Sequence, residues 1–136
     1  MNNLRLWNEE EEDARCKYLH GQPKKMTVEQ KFRLILRLLR RDFPPDLPVK
    51  VRRVNKVIMG SDEPHGICWL SNANKPLSQR YYSIRINKGD SWTQQFDTLL
   101  HEWAHCLTWH LINKETHHGD SFHRKYGVLY RHYIED

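Results

Sequence analysis

The chain has only three cysteines, Cys16, Cys68 and Cys106, and no two of them stand in a C-x-x-C arrangement. An odd count without paired spacing argues against a disulfide framework and against a cysteine-held zinc ribbon. No run of about eighteen apolar residues occurs, so no membrane-spanning helix is expected. The stretch from Met1 to Gln22 carries a run of acids, Glu9 to Asp13, where a secretory leader would place a basic region followed by an apolar one. With nothing to export or anchor the chain, a cytoplasmic location is the default expectation. Size sets a further limit, because 136 residues hold one domain with a real core and leave no room for a second of ordinary size.

Charged residues make up 29% and aromatics 11%, and the mean hydropathy is -0.85, which describes a globular protein with no membrane partner. The formal net charge is +5 and the pI about 9.2, a balance that permits attraction to nucleic acid and makes DNA a candidate partner. The densest basic stretches are Arg37-Leu38-Leu39-Arg40-Arg41 and Lys50-Val51-Arg52-Arg53. No aromatic residue interleaves with them in the sequence, so they read as solvated faces of a helix and a strand.

Residues 1–25 form an N-terminal accessory segment in which Asn8 and Glu11 can start a short helix, ended by Gly21 and Pro23. The domain proper spans 26–136. Thr27 and Gln30 make a capping-box pattern ahead of Val28, Phe32, Ile35, Leu36 and Leu39, an amphipathic helix stopped by Pro44-Pro45. Val49, Val51 and Val54 predict a strand, Lys56 to Met59 a second, and Gly66 to Leu70 and Tyr81 to Ile86 two more. The expected fold class is therefore α+β, with a short antiparallel sheet packed against flanking helices. Ser91 and Gln94 cap a further helix that should run to about Ile112, and Phe122, Tyr126, Leu129 and Tyr133 predict a last one.

The chemistry lies in the helix that follows Ser91. His101-Glu102-Trp103-Ala104-His105 places two histidines one turn apart, so that both project from one side, roughly 6 Å apart along the axis. That is the H-E-x-x-H spacing for a zinc ion, with Glu102 beside the metal as the base that activates water. With nine histidines and nine glutamates in the chain, the pattern arises by accident in about one chain in twenty-five of this composition. Its setting separates it from accident. Phe96, Leu99, Leu100, Trp103, Ala104, Leu107 and Leu111 form one apolar stripe, and His101 and His105 lie roughly 120° to 150° from its centre.

A catalytic zinc takes three protein ligands and keeps one position open. The polar turn Asn113 to Asp120, with His117 and His118, is the best source of the third. Among the remaining groups, Asp97 lies one turn before His101 and could orient its imidazole, although a solvated acid is the plainer reading. His117, His123, Tyr126 and Tyr81 are candidate donors to an oxyanion by reach alone. Cys106 reads as a buried thiol, Trp109 as either packing or cleft lining, and His20, His65, His110 and His132 as structural or surface residues.

Leu99-Leu100-His101-Glu102-Trp103-Ala104-His105, followed by His118-Gly119-Asp120-Ser121-Phe122 and preceded by Gly66-Ile67-Cys68 and Ile84-Arg85-Ile86, resembles the SprT-like domain. That family includes the Spartan protease core, a DNA-dependent enzyme that degrades proteins crosslinked to DNA. The resemblance covers roughly residues 26 to 136 and implies a small zincin-like fold. It implies a zinc ion held by His101, His105 and His118, with Glu102 as general base for the hydrolysis of peptide bonds in protein substrates. An extended metzincin site is excluded, because position 108 is Thr and position 111 is Leu. A reading of another class is a non-catalytic basic module that binds nucleic acid or a partner and keeps zinc as a structural clamp, which would call for a fourth protein ligand such as His117 or Asp120.

Overall fold

The computed structural model describes residues 26–58, 64–111 and 118–134. The expectations for the accessory segment 1–25, for His20 and for His117 fall outside them. In chain order the elements are α1 (Val28–Asp42), β1 (Val49–Val54), β2 (Gly66–Ser71), β3 (Tyr81–Asn87), α2 (Trp92–Leu107) and α3 (Asp120–Tyr133), with short 3-10 turns at Leu77–Gln79 and Trp109–Leu111. The domain is α+β, as the pattern of apolar residues predicts.

Helix α1 begins in a full capping box. The Thr27 hydroxyl accepts from the Gln30 amide and the Gln30 side chain accepts from the Thr27 amide, which satisfies two donors that a helix start leaves orphaned. Phe32, Ile35, Leu38 and Leu39 bury its inner face. Helix α2 is capped by Ser91, whose hydroxyl accepts from the Gln94 amide. Buried Gln95 then fastens its first turn. Its amide donates to the carbonyls of Lys88 and Asp90, and its oxygen accepts from Arg53 on β1. The motif helix is thereby tied to the sheet before its histidines begin.

The sheet is mixed, which corrects the expected antiparallel one. Its order is β1-β3-β2, with β3 antiparallel to β2 and parallel to β1. Alternation of apolar residues shows which face of a strand is buried and is blind to which strand lies next to it. Here β3 inserts between two strands that precede it, and Val54 and Gly66 both stand at the end of the sheet where β3 finishes. A second correction concerns Lys56 to Met59. Residues 56–58 form no strand, and buried Val57 is held by its amide donating to the Asn87 side chain.

One face of the sheet carries the core. Tyr82, Ile84 and Ile86 of β3 lie in one apolar cluster with Phe32, Ile35, Leu38 and Leu39 of α1 and Phe96, Leu99, Leu100 and Trp103 of α2. Trp103 is fully buried and its indole N–H donates to the Phe43 carbonyl at 2.9 Å. Helix α3 packs on α2 through Phe122 and Leu129, and its Tyr133 hydroxyl donates to Asp42 at the end of α1. The start of α3 is thus held against the motif helix. No helix among the described residues is long and apolar enough to cross a membrane.

Candidate metal centre

The outward side of α2 carries His101 and His105, both half-buried. Their rings lie 5.0 Å apart between centroids, the separation expected of side chains one turn apart on a helix. His118 comes from the other wall, immediately before Gly119, the N-cap of α3. Its ring centroid is 5.4 Å from that of His101 and 4.8 Å from that of His105. One ligand nitrogen from each of the three lies within 4.8 Å of the others, close enough to share an ion. Three imidazoles suit zinc and other borderline metals better than they suit calcium or magnesium, which take oxygen donors.

Phe122 is what holds the three rings in place. It is buried on the first turn of α3 and stacks on His105 at 4.3 Å, while His101 and His118 each meet it edge-on at 4.9 Å. Its helical spacing marks it as a packing residue; that it packs on the histidines is visible only once α3 returns to α2. Burial lowers the His101 pKa from its ordinary value, the nearby His118 adds to the effect, and the Asp97 carboxylate opposes it. A neutral imidazole keeps a lone pair free for a metal.

Asp97 does not behave as a solvated helix acid. Its carboxylate accepts a hydrogen bond from the Tyr126 hydroxyl, and the Tyr126 ring lies edge-on to His101 at 5.4 Å. Burial, with Asp97 next in effect, pushes the Tyr126 phenol above its usual range. That hydroxyl is committed to Asp97, which removes the simplest case for Tyr126 as an oxyanion donor. Tyr81 is also removed from the centre, since alternation along β3 turns it to the face opposite the buried Tyr82. His123 is exposed and keeps its ring 5.4 Å from that of Phe122.

Glu102 is only 6% exposed. Desolvation pushes its carboxyl up to about 7, and among the described residues no partner offsets the loss of water around the charge. Below it, Cys106 is a buried free thiol as expected, with its sulfur 3.3 Å from that of Cys68 on β2. Trp109 packs on Tyr82 at 5.7 Å. His65 pairs with Asp90 at 2.8 Å, and His132 is buried against Phe43 and Tyr133, so both take structural roles. Helix α2 ends at Leu107, short of the expected Ile112, because the Thr108 hydroxyl donates to the Ala104 carbonyl and a 3-10 turn follows.

Set against protein-family models, curated proteins and solved structures, the chain matches none.

Proposed function

We propose that this chain is a zinc-dependent metallopeptidase with a zincin-like fold of the SprT-like type, hydrolysing peptide bonds in protein or peptide substrates. The observation that carries the proposal is the approach of His118 to His101 and His105 from a separate element, next to a buried carboxylate. Among the described residues the group consists of three histidines, and a three-ligand set belongs to catalytic zinc sites, which leave a position open. When bound, zinc would supply Lewis-acid polarisation of water and of the scissile carbonyl.

The protein's own groups have separate tasks. His101, His105 and His118 would present the ring nitrogens that hold the metal, and Phe122 packs against all three rings. Glu102 takes a proton from the attacking water as its oxygen bonds to the carbonyl carbon. It then delivers that proton to the amide nitrogen as the C–N bond breaks, acting first as general base and then as general acid.

The test uses the full chain, its metal content and cleavage of an unfolded protein such as casein. Purified protein should hold one zinc per chain. Glu102→Gln should keep that metal and lower cleavage by about a hundredfold or more, the usual weight of a general base. Cleavage by Glu102→Gln at the unsubstituted rate would exclude Glu102 as the base, and a chain that binds no zinc would end the proposal.

A further inference from the structure

The face of the sheet turned away from the core has a composition no stretch of sequence displays. Period-two alternation brings Lys50 and Arg52 of β1, Trp69 of β2, and Tyr81 and Arg85 of β3 to one side. Register makes them neighbours. Lys50 and Trp69 both flank Ser83, one from each edge, Arg52 lies opposite Arg85, and Tyr81 lies opposite Ser71. Tyr81 and Trp69 are thus diagonal neighbours, roughly 7–8 Å apart on a pleated sheet. Together these residues frame an open depression of about 220 Å³ whose lining includes three cations and no acid.

The cations stay exposed although each aromatic holds one close. The Lys50 ammonium lies 4.1 Å from the Tyr81 ring centre and the Arg85 guanidinium 5.1 Å from that of Trp69. A solvated salt-bridging surface would alternate signs, whereas this one is of a single sign and set with flat rings. Two rings on neighbouring strands, each with a cation over its face that a stacking base would displace toward its own phosphate, fit one kind of ligand.

We infer that the open face of the sheet binds a single-stranded polynucleotide, with bases stacked on Trp69 and Tyr81 and phosphates held by Lys50, Arg52 and Arg85. An acidic peptide would meet the charge and leave both rings unused. A duplex hides its base faces in the stack and could use only the cations. None of the five residues belongs to the metal centre, so binding here and hydrolysis there are separable.

The experiment measures fluorescence anisotropy of labelled oligothymidylate and oligouridylate with the full chain. Binding should weaken steeply as salt rises from about 50 to 200 mM. Trp69→Ala should weaken it by about tenfold, and Trp69→Phe, which keeps a stacking ring, should restore most of that loss. The double variant Lys50→Glu with Arg52→Glu should weaken it at least as much, and all variants should keep the circular dichroism of the unsubstituted chain. Preference for one oligonucleotide over the other identifies the sugar, and either supports the inference. No binding of either, equal binding of a polyglutamate of the same length, tighter binding of the duplex form, or indifference to both Trp69→Ala and the charge reversals would overturn it.

Discussion

The histidine side of α2 and the open face of the sheet both gather chemical groups outside the core, and they are assembled in opposite ways. Along α2 the pattern is continuous in the chain. Ser91 caps, Phe96 to Ala104 bury one stripe, and His101, Glu102 and His105 emerge at intervals that one helical period dictates. Across the sheet, five residues from three strands meet only because β3 has slipped between β1 and β2. The first takes two of its three histidines from one helical turn and the third from the return of α3, whereas the second is gathered by sheet topology alone. Their energetics differ as well. Glu102 is buried and stripped of water, whereas Lys50, Arg52 and Arg85 remain exposed to solvent.

The largest effect should come from breaking the candidate metal centre alone. His105→Ala removes an imidazole that lies within ligand distance of the other two and stacks on Phe122. Changing a group that merely supports a ligand costs about ten- to a hundredfold in affinity or activity, so losing a ligand should exceed that. Zinc content and casein cleavage should both fall below detection, while anisotropy with oligothymidylate stays within about twofold of the unsubstituted chain, since no new contact is lost there. A parallel loss of both would mean that the two regions form one site.

A second contrast concerns stability. In the metal-free chain the Glu102 carboxyl titrates at about 7, against about 4.3 for an unfolded glutamate. The sign follows from the raised value. Below pH 4 both states are protonated and nothing is lost, whereas above pH 7 the folded state must carry a buried charge. Stability therefore falls as pH rises from about 4.3 to 7, by on the order of 4 kcal/mol. Glu102→Gln should raise the stability of the metal-free protein at pH 8 by an amount of that order and leave it unchanged at pH 4, as read by urea unfolding. Lys50→Gln, on the sheet face, should shift it by no more than about 0.5 kcal/mol at either pH. Equal responses would remove the energetic difference between the regions.

How far each region could be read from the chain follows from the same distinction. The start of α2, its buried stripe and the facing of its histidines all came from spacing, since a helix converts position directly into angle. The place of His118 beside them needed the likeness to a known motif, because nothing in local periodicity says where α3 returns. The Tyr126 bond to Asp97 and the proximity of Cys68 to Cys106 were out of reach for the same reason. The sheet was legible as strands and illegible as an arrangement. Alternation in Tyr82, Ile84 and Ile86 correctly marked the inner face, but pairing with β1 in parallel left no trace in it. Lys50 to Arg53 looked bare of aromatics because Trp69 and Tyr81 arrive from other strands. Val57 looked like part of a strand because a buried β-branched residue in a loop carries the same local signature.

The smallest effect tests the joint between the two regions. Gly66 opens β2 where that strand lies against α2, and a Cβ there would meet the Thr98 methyl at 2.5 Å and the Arg85 carbonyl oxygen at 3.0 Å. Neither neighbour can easily withdraw. Thr98 is buried and accepts a hydrogen bond from the Gln94 side chain, and the carbonyl belongs to the central strand. Gly66→Ala should therefore push β2 off α2 and cost about 1–3 kcal/mol, the usual penalty for an added methyl in a packed site. Gly89→Ala meets nothing within 4 Å and should be neutral or stabilise by up to about 1 kcal/mol through the unfolded chain. Because β2 supplies Trp69 to one region and abuts the helix that supplies the histidines to the other, Gly66→Ala should also weaken both oligothymidylate and zinc binding by a few-fold. If Gly66→Ala unfolds at the same urea concentration as Gly89→Ala, the strand and helix are not locked together, and the metal centre and the sheet face move as independent bodies.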